Sequence, residues 1–148
     1  MKIMLILTLL LPSVSLASKF DETMSLAIQG HPDSQTKLGL MYSKGDGIPK
    51  NDVEAVKWFR KAAEQGDGPA QGFLSIKYQQ GKGVPQDYIK SYVWASMMKM
   101  QGSLKEQALG EKLFSAAKEL ILLLGPEKIL DAQSLATKCY ESDYKDCD

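Results

Sequence analysis

From residue 33 to residue 104 the apolar and polar positions run through one 36-residue pattern twice without a gap. Leu38 and Tyr42 stand four apart, as do Leu74 and Tyr78, so each pair occupies one face of a predicted helix. Ala55, Trp58 and Ala62 recur at spacings of three and four and predict a second helix in the unit. The matching positions of the next unit are Ser91, Trp94 and Met98. Nine of the 36 aligned positions are identical: Gln35/Gln71, Leu38/Leu74, Tyr42/Tyr78, Gly45/Gly81, Gly47/Gly83, Pro49/Pro85, Trp58/Trp94, Gln65/Gln101 and Gly66/Gly102. Most of these residue types shape turns or fill cores, so the period marks a repeated helical hairpin.

The segment joining the two helices is written in residues that end and restart helices. Gly45 and Gly81 stand where a left-handed residue closes the first helix. Gly47 and Gly83 permit a second bend, Ile48 and Val84 tuck beneath it, and Pro49 and Pro85 stiffen the exit. Asn51 and Asp87 are N-cap residues for the second helix, with Glu54 completing a capping box in the first unit. Gly66 and Gly102 stop the second helices. The glycines and Lys82 in "QQGKGVPQDY" superficially suggest a phosphate loop. That loop needs a preceding strand and a lysine followed by Ser or Thr at a helix start. Here a helix precedes, Pro85 follows Val84, and Lys82 is Asp46 in the first copy.

Two units cannot bury their own ends, so caps are expected on both sides. Gly30 and Ala27 lie 36 residues before Gly66 and Ala63, which predicts a capping helix over 20–29. After Gly102, Ser103 and Glu106 form a second capping box. They open a long helix to about Leu124, with Leu109, Leu113, Phe114, Ala117, Leu120, Ile121 and Leu124 as its apolar stripe. Gly125-Pro126 breaks it, with Pro126 at the first position of a last helix. Ile129, Leu130, Ala132, Leu135, Ala136 and Cys139 face inward from that helix. The expected organisation is a leader over 1–17, a capping helix within 18–32, repeats over 33–68 and 69–104, and a C-terminal helical cap over 105–148.

The repeat residues resemble the Sel1-like repeat, a relative of the tetratricopeptide repeat. The first unit carries that pattern at Leu38, Gly39, Tyr42, Gly45, Gly47, Ala55, Trp58, Ala62, Ala63 and Gly66. The second carries it at Ala70, Leu74, Tyr78, Gly81, Gly83, Val84, Asp87, Trp94 and Gly102. Departures include Asn51 for Asp, Ser75 for glycine, and Met98-Lys99 for an alanine pair; the last widens the second joint. The resemblance implies an all-α, short right-handed α/α solenoid used as a protein-binding scaffold, with no conserved catalytic residues. The segment from Gly125 to Cys147 also resembles the terminal part of exported members.

Composition narrows the function. Apolar residues make up 44% of the 148, enough for one domain with a modest core. Eighteen basic residues balance 18 acidic ones, which argues against a nucleic-acid binder. Arg60 is the only arginine, so bidentate anion recognition is scarce. The N-terminus has Lys2, an apolar run from Ile3 to Leu11, Pro12, and Ser15-Leu16-Ala17 with small residues at the cut site. It reads as a secretory signal, leaving no membrane insertion after cleavage. Cys139 and Cys147 then meet an oxidising compartment and pair. Along an unbroken helix they would be about 12 Å apart, too far for a bridge, so the helix must end near residues 140–143 and the tail fold back.

No catalytic, cofactor or metal constellation is evident. His31, the only histidine, stands in the segment "GHPD" without a nucleophile or orienting partner in sequence. The carboxylates fall on exposed faces. With Leu38/Tyr42 and Leu74/Tyr78 turned inward, Lys37, Leu40, Met41, Phe73, Ile76 and Lys77 project elsewhere as an apolar strip flanked by lysines, able to dock a partner segment. The expectation is a non-catalytic interaction scaffold in a bacterial envelope, periplasmic or secreted. A cell-wall enzyme or a binder of peptidoglycan or β-lactam ligands is the second reading, since some cysteine-rich relatives are linked to that activity. A self-associating subunit using the 103–124 helix is the third.

Overall fold

The computed structural model describes residues 13–147, with side chains from residue 19 onward. Residues 1–12 of the expected leader lie outside the described residues. Seven helices and no strand occur among the described residues: α1 (Ser13–Ile28), α2 (Pro32–Lys44), α3 (Asp52–Ala63), α4 (Gly68–Gln80), α5 (Tyr88–Gln101), α6 (Leu104–Leu124) and α7 (Lys128–Glu141). Each helix from α1 to α6 packs on its successor, while α4 also meets α6 and α5 meets α7. A first helix thus meets a first helix at α4 and α6, and a second helix a second at α5 and α7, while the other helices pack mainly on their neighbours in sequence.

The joints form as their residues dictate. Gly45 (φ 80°) and Gly81 (φ 64°) close α2 and α4 in the left-handed region and donate their N–H groups to Met41 O and Lys77 O. The loop then returns to its own helix: Asn51 N–H donates to Tyr42 O at 2.8 Å and Asp87 N–H to Tyr78 O at 3.0 Å. Gly83 has the tightest demand. A Cβ there would lie 2.2 Å from the carbonyl oxygen of Asp52, so the second unit's loop presses directly on the start of α3.

Gln35 and Gln71 have matching roles. Gln35 Nε2 donates to Ala27 O (3.1 Å) and Gln71 Nε2 to Ala63 O (3.3 Å). Each adds a second donor to a carbonyl at the C-terminus of the preceding second helix, beside the N–H of Gly30 or Gly66. This makes α1 the second helix of a truncated preceding unit. Gln107, another 36 residues on, donates to Gly102 O at 2.8 Å. Phe114 stands in register with Tyr42 and Tyr78, so α6 begins as the first helix of a third unit. The register position of Gly45 and Gly81 is there Ala117, fully buried. Without a left-handed stop, α6 continues to Leu124.

One core joins Ala55, Phe59, Leu74, Tyr78 and Trp94 to the C-terminal tail. A smaller one sets Tyr92 against Ala117, Ile121 and Ala132. After α7 the chain reverses through Asp143 (φ 54°) and Tyr144 (φ 66°), and Cys139 pairs with Cys147 across a Cα separation of 4.4 Å. Tyr144 and both cysteines are buried in the same core as Ala62, Ala63 and Ala70, so the disulfide loop closes the repeat core.

Several local expectations are corrected. Trp58 is only half-buried, with Lys61 Nζ 4.3 Å above its ring. Phe59 takes the core place instead, because Gly39 opposite has no side chain. Trp94 is fully buried, and α7 covers its helix. Asn51 accepts from Glu54 N–H at 3.1 Å, but its own N–H is spent on Tyr42 O; Glu54 pairs with Lys57 at 2.5 Å rather than closing the box. Pro126 lies in a turn, and α7 begins at Lys128. Leu109, Leu124 and Leu130 are exposed. Leu130 falls about 100° from the narrow buried stripe of Ile129, Ala132, Ala136 and Cys139.

Candidate partner-binding clefts

The six residues expected to form one strip divide among three surroundings. Phe73 and Ile76 project from α4 into an open cleft of about 560 Å³ between α4, α5 and α6. Gly72 lets Met98 form its floor: a Cβ at Gly72 would lie 2.8 Å from Met98 Sδ. Leu109 and Leu113 of α6 supply the opposite wall, and Lys105 and Lys112 stand beside it. The helix carrying that wall is fixed at its start by Glu106, whose carboxylate accepts the Ser103 N–H at 2.6 Å. Phe73 is anchored by stacking on Phe59, with ring centroids 4.9 Å apart. Ile76 and Leu109 therefore offer apolar surface at lower structural cost.

Lys37, Leu40 and Met41 line a separate cleft of about 430 Å³ between α1 and α2, shared with Lys19, Glu22 and Leu26. Lys77 belongs to neither cleft. It is buried, forms an ion pair with Asp52 and donates to Ser43 Oγ at 2.7 Å. The Lys77 hydrogen bond and charge hold the Asp52 carboxyl below its usual range, against the opposing effect of burial, with Lys50 assisting. Lys77 thus ties α4 to α2 and the start of α3. Its place as a groove lysine is corrected: a charge with little solvent needs its partner in the fold.

A third cleft, of about 360 Å³, lies between α5, α6 and α7 and is lined by Tyr92, Met97, Phe114, Gln133 and Tyr140 among others. Burial pushes the Tyr92 phenol up, while a hydrogen bond from Gln133 and the charge of Lys99 act against it. This cleft had no signal in sequence, because its walls come from three helices with no shared motif. The contributions of Met98, Leu109 and Leu113 to the first cleft were also missed. The Met98-for-alanine departure was their only trace.

His31 is exposed and precedes α2 without a side-chain cap bond. No group of three or more His, Cys, Asp or Glu residues able to hold a metal occurs among the described residues. No helix among them is long and apolar enough to cross a membrane.

Comparisons with known proteins agree with this geometry. The Sel1 repeat model matches residues 32–67 and 68–103, one residue ahead of the boundaries read from the sequence. A protective antigen of uropathogenic Escherichia coli with an SLR fold superposes on 84% of this chain, with a TM-score of 0.74 and 25% identity. The match takes in 25% of the antigen. A Sel1 repeat protein from Oxalobacter formigenes superposes on 65% of this chain and 72% of its own, with a TM-score of 0.60 and 28% identity. An exopolysaccharide production negative regulator of Rhizobium meliloti is 45% identical over 40 residues, 27% of this chain; the chain spans 15% of the regulator's length. With two units matched and the helical stack shared with solved relatives, the chain belongs to the Sel1-repeat family.

Proposed function

We propose that this protein is a non-catalytic interaction scaffold of the bacterial cell envelope, holding an apolar segment of another protein in the α4–α6 cleft. The observation that carries the reading is that cleft: Ile76, Met98, Leu109 and Leu113 converge on one open apolar space with lysines beside it. Such a site receives an apolar ridge from a partner. Sel1 repeat proteins bind other proteins in general, which agrees. Residues 1–17 act as an export leader, and the Cys139–Cys147 pair suits an oxidising compartment. The α1–α2 cleft, with Lys37, Leu40 and Met41, is a second, smaller contact on this reading.

The test is affinity capture with the disulfide-bonded protein, offered envelope extract and purified cell wall separately. Ile76→Asp runs beside it, after its helical content and melting are checked. A protein captured by the wild type and lost with Ile76→Asp supports the scaffold. Capture of cell wall alone, unaffected by the substitution, contradicts it and favours a saccharide or peptidoglycan site.

A further inference from the structure

The outward face of α6 carries a pattern that the solenoid core does not use. Lys105, Leu109, Lys112, Ala116, Glu119 and Leu123 succeed one another at spacings of 4, 3, 4, 3 and 4, which places them on one stripe of the helix. Five of the six are exposed and Ala116 is half-buried. Leu123 is 83% exposed and Leu109 47%. Solitary exposed leucines need no explanation, but two on a regular stripe with ordered charges do. Lys105, Lys112 and Glu119 enter no ion pair among the described residues. The neighbouring Lys99 and Glu111, by contrast, pair at 2.6 Å.

The order of the stripe is the informative part. Two lysines stand in its first half and a glutamate in its second, with a small residue at its centre. Reversed about Ala116, leucine falls on leucine (109 on 123) and Lys112 falls beside Glu119. A stripe that matches its own reverse is what a two-fold, self-complementary contact requires. Ala116 at the crossing lets the two backbones approach. Within one chain Lys112 and Glu119 are two helical turns apart, about 10 Å, and do not pair there.

We propose that the protein pairs with a second copy of itself through antiparallel α6 helices crossing at Ala116, with Lys112 of each copy against Glu119 of the other. Leu123 of each copy covers Leu109 of its partner, at the open side of the α4–α6 cleft. The two-fold contact gives that open trough a cover along its α6 side.

Sedimentation equilibrium of the full disulfide-bonded chain, up to about 1 mM, reads the association directly. The wild type is expected to dimerise. Lys112→Glu and Glu119→Lys each place like charges at both symmetric contacts and should weaken the dimer about a hundredfold, roughly tenfold per contact. Two further results are specific to this geometry. The double reversal, Lys112→Glu with Glu119→Lys, should restore the dimer. Mixing the two single variants should give a heterodimer, because one copy then presents two acidic side chains and the other two basic ones, so both contacts are again between opposite charges. A strict monomer over the whole range overturns the proposal, as does a dimer indifferent to both single reversals. Binding of the monomer to anionic lipid vesicles through Leu123, in place of self-association, would also overturn it and assign the stripe to a membrane surface. None of these outcomes depends on Ile76, so the scaffold reading stands or falls separately.

Discussion

In the first repeat Gly39 lies against Phe59; in the second the same two positions hold Ser75 and Ala95. A Cβ at Gly39 would come within 2.6 Å of the Phe59 ring, so the glycine is required by its neighbour. The second unit exchanges the large residue for a small one and the glycine for serine. It also replaces Ala55 by Ser91, and the two buried hydroxyls share a hydrogen bond of 3.0 Å. The two hairpins therefore reach close helix contact by different routes: an aromatic ring seated on a bare backbone, or a small polar pair. Departures from a repeat pattern have to be read in pairs, because the size of one residue in a close contact limits what its neighbour can be.

The largest expected effects test that exchange. Phe59→Ala should cost about 4 kcal/mol in urea unfolding, from lost burial and the cavity left behind. Gly39→Ser alone should also destabilise, by about 2 kcal/mol of overpacking. The double variant places the second unit's serine and alanine at these two positions of the first, without the second hydroxyl. It should be more stable than the sum of the single effects by about 2 kcal/mol, a coupling that simple additivity would remove.

Next comes the bridge between the two units, where Lys77 of the second, register-equivalent to Met41 of the first, pairs with Asp52. Asp52→Asn leaves Lys77 buried without its carboxylate and should cost about 3 kcal/mol. Asp52 has its folded-state pKa lowered from 3.8, so the bridge contributes fully above about pH 4. That contribution is lost as pH falls through the lower folded-state value. The variant should therefore lose less stability than the wild type between pH 4 and pH 2 in an acid unfolding series. An equal slope for both would remove the bridge from the account.

Opening the Cys139–Cys147 loop should cost about 2.5 kcal/mol on the chain-entropy view, measured as the melting difference between the protein with and without reductant. Because Tyr144 and Cys147 close the core of both repeats, hydrogen exchange should rise first in α3 and α4 beneath the tail. The smallest effects are at the caps. Asn51→Ala and Asp87→Ala should each cost about 1 kcal/mol, and nearly equally, since Glu54 adds no side-chain bond at Asn51.

Much of the fold could be read from the chain because repetition doubles each signal. Two glycines 36 residues apart, each preceded by an apolar pair, identify a joint that one copy would leave ambiguous. The half-finished third unit was harder to see, since Gly110 replaces its leucine and Ala117 its stop glycine, leaving Gln107 and Phe114 as markers. The site was read less well. Lys77 looks like a groove cation from its spacing, and only the position of Asp52 and Ser43 turns it into a buried tie. Phe73 and Ile76 were placed on a surface, but the wall facing them comes from Leu109 and Leu113. Those two residues belong to the one wide apolar stripe read for this helix, and periodicity does not tell its cleft side from its buried side.

The measurement closest to the central claim is a hydrogen-exchange footprint of the disulfide-bonded protein, alone and with its captured partner. The account predicts protection on α4 around residues 69–76 and on α6 around residues 105–113, with the α3 surface near Trp58 unchanged. Protection confined to α3 or α7, or none on α4 and α6, would contradict the assignment of the α4–α6 cleft as the binding site.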